Sequence, residues 1–261
     1  MIFAHEMLQL AACFYCLSFA VLFMHERRRW IFRLFILPAL LANAFAVGAR
    51  YHQAWPLMPM YLGGAATPLF IGAVTLFIGN SNENIRLKRF MAGLAVALAT
   101  SSAMFPKDFY MPFMKSNTLF SHGFLLFGIL GKGCFLAGSA AALVRMPEWF
   151  SKNQNGIRRG CGQTFSMTPV NNWIIPGISF WTLSMFSGEV WSYLGWGTPV
   201  VWEDAAITTT MATWFYYIGF IHLHFTGAWG MKSRCIYASL GIVVVMVLNC
   251  LPDLGPFRMP F

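Results

Sequence analysis

The sequence predicts an all-α, polytopic membrane bundle of about eight transmembrane helices, with both termini on the outer side. Three observations predict it. Of 261 residues, 57% are hydrophobic and only 10% charged, where a soluble domain would carry about a quarter charged residues. Several apolar runs are each about as long as a bilayer-spanning helix. The basic residues sit in short clusters on alternate loops: Arg27, Arg28, Arg29 and Arg33; Arg86, Lys88 and Arg89; Arg145, Lys152, Arg158 and Arg159; Lys232 and Arg234. The other loops hold only Arg50, Lys107, Lys115 and Arg258. That asymmetry is the positive-inside signature. It puts the four clusters on the cytoplasmic or stromal side and explains the net charge of +9 without nucleic acid.

The first span is expected at about 7–24, retained because no basic start or cleavage site precedes it. The second, about 34–49, returns outward to GARYHQAWPLMPMY. The third, about 61–79, leads in to SNENIRLKR, and the fourth, about 90–104, leads out to FPKDFYMPFMKSN. The fifth, about 119–143, enters the longest loop, 144–171, which is polar and without apolar period, as a connector is. The sixth, about 172–190, leads out to a tryptophan-rich loop at about 188–204. The seventh, about 205–224, goes in and the eighth, about 235–251, comes out. No internal repeat is visible, so residues 1–261 read as one transmembrane domain. Cys13 and Cys16 form a CxxC without a following histidine, so the chain carries no c-type heme attachment site of its own; on an apolar helix such a pair reads as packing.

The stretch from Gly188 to His224 concentrates the chemistry. It holds Trp191, Trp196, Trp202 and Trp214, the acids Glu203 and Asp204, and the histidines His222 and His224. Tryptophan favours the membrane interface, which accounts for one or two rings. Several rings with glycines and acids on one turn suit a large flat ligand such as heme, with imidazole as axial ligand. His122 starts the fifth span on the outer side, level with that turn. His222 lies 18 residues beyond Asp204, about 27 Å along a helix, in the inner half of the bilayer. A histidine at that depth is costly and usually faces the bundle interior for a functional reason. Lys132, inside the fifth span, needs a carboxylate, carbonyls or water; Glu189 is the nearest carboxylate by topology. The glycines beside Lys132 equally suit close approach of another helix.

Over roughly residues 30–250 the chain resembles the CcsA (ResC) heme-handling proteins of system II cytochrome c maturation, in the WWD-domain superfamily. GARY at Tyr51 followed by WPLMPMY resembles the family's first outer segment. MKSNTLFSH resembles the segment ending in its first outer heme-ligand histidine, which maps onto His122. GEVWSYLGWG matches glycine-x-x-tryptophan then tryptophan-glycine, at Gly188, Trp191, Trp196 and Gly197. MATWFYYIGFIHLH carries the membrane histidine onto His222.

The resemblance implies heme b at an inner and an outer site, held by His122, His222, Trp191, Trp196, Gly197, Trp202 and Asp204. It further implies a CcsB/ResB-like membrane partner, presentation of heme to apocytochrome c within a heme lyase or synthase assembly, and a bacterial inner or thylakoid-type membrane. No catalytic side chain is selected. The chain departs from the family at Val200, where a tryptophan is expected, and at Pro59 and Leu62; Glu203 or Asp204 stands for the loop aspartate. No histidine follows the last span, leaving Met259, His5 or His52 as the second outer ligand; methionine is a competent one. The alternative is a non-catalytic heme-b-binding or structural subunit of a membrane electron-transfer complex that kept the fold.

Overall fold

The computed structural model describes residues 2–24, 29–55, 57–59, 62–79, 82–104, 110–115, 118–154, 166–200, 205–227 and 229–251. Among them run eight α-helices: α1 (Ile2–Met24), α2 (Arg29–Ala54), α3 (Leu62–Phe77), α4 (Asn82–Met104), α5 (Leu119–Gln154), α6 (Thr168–Trp196), α7 (Ala205–Phe225) and α8 (Met231–Val245). Two short strands, β1 (Leu57–Pro59) and β2 (Tyr110–Lys115), pair antiparallel with Leu57 opposite Lys115. The chain is thus an all-helical polytopic membrane protein with one small ribbon. Four helical stretches are long and apolar enough to cross a bilayer: Phe3–Met24, Trp30–Gln53, Leu119–Met146 and Met231–Cys250. Helix α3 is apolar but shorter, α4 begins with the charged residues Glu83, Arg86, Lys88 and Arg89, and α6 and α7 are diluted by asparagine, serine, threonine and histidine.

Helix α5 is the central element. Every residue from Gly133 to Ala142 is buried, as expected of a helix apolar on all sides. It packs most extensively on α6, and also on α8, α3 and α4. Lipid tails are as apolar as side chains, so close approach and hydrogen bonds, not the hydrophobic effect, hold membrane helices together. The α5–α6 seam is built accordingly from small residues. A Cβ added at Gly131 would meet the Trp181 backbone nitrogen at 3.2 Å and the Gly177 carbonyl at 3.3 Å, and one at Gly177 would meet Phe135 at 2.8 Å. Ser184 Oγ donates to the Phe124 carbonyl across the same seam at 2.8 Å. The glycines beside Lys132 do what close packing requires: Gly131 admits α6, and Gly133 admits the Phe70 ring of α3.

Polar groups freed inside the bundle find partners. Pro68 lacks an N–H, which leaves the Gly64 carbonyl without its helical donor; Ser102 Oγ of α4 donates to it at 2.7 Å. Helices α6 and α7 exchange indole bonds, Trp181 Nε1 to the Thr210 carbonyl at 3.1 Å and Trp214 Nε1 to Thr182 Oγ1 at 2.9 Å. Tyr216 and Tyr237 stack with centroids 4.4 Å apart, and each hydroxyl donates to the other's carbonyl. Helix α8 ends in a π-helical turn, Met246–Cys250, whose Asn249 Nδ2 donates to Thr213 Oγ1 at 2.7 Å. Interhelical hydrogen bonds in membranes average about 0.6 kcal/mol. Trp181→Phe and Trp214→Phe are each expected to lower stability by about that amount, measured as reversible unfolding in mixed micelles. No loss in either would remove the indole bonds from the account of the α6–α7 contact.

The two ends of the bundle differ in charge. Arg89 donates from Nε and Nη2 to the Leu22 carbonyl at 3.2 and 3.1 Å, and Lys88 lies over the Phe32 ring at 4.2 Å. Arg234 reaches His224, and Cys235 donates weakly to the Ala142 carbonyl. These contacts gather the ends of α1 and α7 and the Ala142 level of α5 with the starts of α2, α4 and α8. The cluster Arg86, Lys88 and Arg89, expected on a loop, lies instead in the first two turns of α4, and Lys88 is only 3% exposed.

Candidate functional site

At the end of the bundle away from the basic clusters, three aromatic rings from two distant segments meet. Thr118 caps α5 by accepting the Ser121 N–H at 3.3 Å, the usual device for a helix start. His122 follows in the first turn, half-buried, with Nδ1 2.8 Å from the Thr118 carbonyl. A carbonyl only accepts, so Nδ1 carries the proton, which in the uncharged tautomer leaves the lone pair at Nε2. Backbone fixation of one ring nitrogen is how proteins orient an imidazole toward a metal. That Nε2 accepts from the Tyr51 hydroxyl. Tyr51 lies in the last turn of α2, and its ring centroid is 5.8 Å from that of His122. The Trp55 ring lies 6.1 Å from His122 and 6.2 Å from Tyr51, with half its surface open.

The β1–β2 ribbon explains why these rings meet. It joins the chain just after Trp55 to the chain just before Thr118, so the end of α2 and the start of α5 are tied together by backbone bonds. The family resemblance pointed to the Tyr51 segment, but neither Tyr51 nor Trp55 stood out as a site residue. A signal was present: an aromatic pair one turn apart, in an outer loop facing the loop that precedes His122.

Trp191 and Trp196 do not form one platform. Helix α6, expected to stop near 190, continues to Trp196, where Gly197 ends it in the left-handed conformation, φ 75°, its N–H bonded to the Tyr193 carbonyl at 2.9 Å. Five residues on a helix turn by about 140°, so the two rings leave on different sides. Trp191 packs against Phe124 of α5, centroids 6.0 Å apart, and Gly188 makes room for that same ring. Trp191 therefore anchors the end of α6 on α5 through Phe124, two residues beyond His122. Trp196 is exposed at the tip. Beyond Gly197, Thr198 accepts from Ser192 Oγ at 2.9 Å and donates to the Val200 carbonyl at 3.1 Å, closing a tight turn. Trp202, Glu203, Asp204 and Met259 lie outside the described residues.

His222 lies in the last turn of α7, about 26 Å from its first residue, so the two histidines belong to opposite ends of the bundle. It does not face the bundle interior. Thr213, Tyr217 and Phe220 form the buried stripe of α7, whereas Thr208, Ala212, Phe215 and His222 are exposed along the opposite one. His224 is half-buried, and its Nδ1 accepts from Arg234 Nη1 at 2.7 Å. His52 is exposed beside Tyr51, and His5 Nε2 bonds Gln9 on the same helix at 2.9 Å.

Glu189 does not reach Lys132. The α5–α6 register, with Gly123 against Ser187 and Gly131 against Gly177, sets Glu189 level with His122, about 15 Å along the axis from Lys132.

Comparison with known proteins places the whole chain. The family profile described as "Cytochrome C assembly protein" matches residues 2–251. The cytochrome c biogenesis protein CcsA of Prochlorococcus marinus (strain AS9601) is 32% identical over 74 residues, 28% of this chain and 24% of that protein. CcsA of Welwitschia mirabilis is 30% identical over 74 residues, with the same coverage. The chain thus aligns with about a quarter of the length of these curated relatives. Among solved structures, the cytochrome c heme lyase CcmF superposes with a TM-score of 0.68 at 16% identity, covering 98% of this chain and 49% of that one. That likeness is one of fold.

Proposed function

The chain belongs to the cytochrome c assembly protein family, and on that premise we propose that it handles heme for cytochrome c maturation, presenting it at the outer end of the bundle to apocytochrome c. The observation that carries this reading is His122: an imidazole with Nδ1 held by a backbone carbonyl and Nε2 turned into a half-open aromatic box. An imidazole so oriented could supply a nitrogen ligand to heme iron. Tyr51 and Trp55 would line one side of the porphyrin, and Trp191, packed on Phe124, would keep the α6 turn in place. The Tyr51 hydroxyl bonds Nε2 in this structure, so His122 would have to give up that hydrogen bond to serve as a ligand to heme iron. Holding heme beside cysteine thiols supplies proximity, the main thing such a scaffold can contribute to thioether formation.

His222, exposed on α7, would bind heme b on the inner side of a bacterial inner membrane or thylakoid-type membrane. Its outward direction favours a second ligand from a neighbouring subunit, the place a CcsB/ResB-like partner would take in a system II assembly. Met259, His5 and His52 stay as the candidates for the second outer ligand, and Trp202 and Asp204 as residues of the platform.

The outward His222 equally suits the second reading, a non-catalytic heme-b-binding subunit of a membrane electron-transfer complex. A pyridine hemochrome assay on the protein purified with and without coexpressed partner membrane subunit separates the two. Heme that His222→Ala removes only from the partner-bound form, together with covalent heme on a CxxCH apocytochrome, is the expected result. Stoichiometric, tightly held heme with no cytochrome formed would favour the subunit reading. Absence of heme from every preparation would reject both.

A further inference from the structure

At the basic end of the bundle, α1, α4 and α5 leave an open wedge of about 450 Å³. Its walls are apolar: Phe19 and Phe23 of α1, Phe90, Gly93 and Leu94 of α4, and Val144 of α5. Gly93 keeps it open on one side, since a Cβ there would press on Phe19 at 3.3 Å. Two arginines line its rim, Arg86 and Arg89, three residues apart and so on one face of α4. Arg89 is held in place: its Nε and Nη2 donate to the Leu22 carbonyl, and its guanidinium lies 4.9 Å over the Phe23 ring. Arg86 is exposed.

We propose that this wedge binds one anionic phospholipid of the cytoplasmic leaflet, its phosphate between Arg86 and Arg89 and one acyl chain along Phe19, Phe90 and Leu94. The charge complementarity is direct. Guanidinium recognises phosphate through paired N–H donors, and basic pockets between membrane helices on the cytoplasmic side suit anionic head groups. The four basic clusters put this end in that leaflet. The walls also favour lipid over the other amphipathic anion at issue, heme: among the described residues that line the wedge none is a histidine, cysteine or methionine, so none of them offers iron a ligand. The inference stands independently of heme handling, because it uses none of the same residues.

Native mass spectrometry of the delipidated full chain tests it, with phosphatidylglycerol and phosphatidylcholine of identical acyl chains added in turn. One phosphatidylglycerol should remain bound at collision energies that strip phosphatidylcholine. Arg86→Gln should weaken retention about fivefold, the effect of one arginine near an anionic surface. Leu94→Trp, which fills the wedge and keeps both charges, should weaken it as well, so the test does not depend on one variant folding. Equal retention of the two lipids, or undiminished phosphatidylglycerol in both variants, would overturn the proposal. Displacement of the lipid by hemin that the same two variants abolish would reassign the wedge to porphyrin.

Discussion

His122→Ala should reduce covalent heme attachment to a CxxCH apocytochrome by more than about 100-fold, because groups that merely orient a metal ligand are already worth about 10–100-fold. The fold should survive. The half-buried ring leaves Tyr51 O–H without its acceptor at a place water can enter, a cost of about 1 kcal/mol. Imidazole added to the buffer should then occupy the vacated volume beside Tyr51 and Trp55 and restore part of the activity. Tyr51→Phe should act in the opposite direction. It removes a donor that competes for Nε2, and a net hydrogen bond of about 1 kcal/mol corresponds to heme binding about fivefold tighter. Maturation assays and heme titrations of the two variants read this out. Wild-type cytochrome yield from His122→Ala, or weaker heme binding by Tyr51→Phe, would disprove the assignment of Nε2 as the iron ligand.

Among the described glycines, Gly133→Ala should meet the closest obstacle and be clearly destabilising. A Cβ at this position would overlap the Phe70 ring, and overpacking of a tight core costs about 1–3 kcal/mol. The obstacle is one side chain rather than backbone, so Phe70→Ala in the same chain should recover most of the loss. Phe70→Ala alone should be destabilising through the cavity it leaves. Thermal unfolding of the two single variants and the double variant checks the coupling. If the double variant loses the sum of the two single effects, Gly133 and Phe70 do not share the α3–α5 contact.

How far the residues alone carry depends on the kind of information involved. Eight helices and the basic end follow from composition along the chain, which is local. His122 was legible for the same reason: an outer loop followed by an apolar run puts it in a first helical turn whatever the neighbours do. Tyr51 as its partner was not legible, since 71 residues separate them and the β1–β2 ribbon alone brings them together. The direction of His222 was misjudged because a helix has an inside only once its neighbours are known. Helix α7 packs by its Thr213–Tyr217–Phe220 stripe, and His222 lies on the other one. Trp191 and Trp196 were grouped on a loop because apolarity fades near 190. Backbone hydrogen bonding does not fade there, and α6 runs on until Gly197 takes the left-handed conformation that ends it.

What the sequence by itself determined is the solvent each segment accepts: a hydrocarbon interior for the helices, and a polar membrane surface for the arginine clusters. A charged side chain at the centre of a membrane helix costs about 2.5–3.5 kcal/mol whereas an apolar one is favourable, so that partition is written residue by residue. Tertiary structure alone decided which side chains share a site, because a glycine seam, a two-stranded ribbon and a helical register act between segments far apart in the chain. The imidazole that meets an aromatic box, and the one that meets the bilayer, differ by their neighbours rather than by their own chemistry.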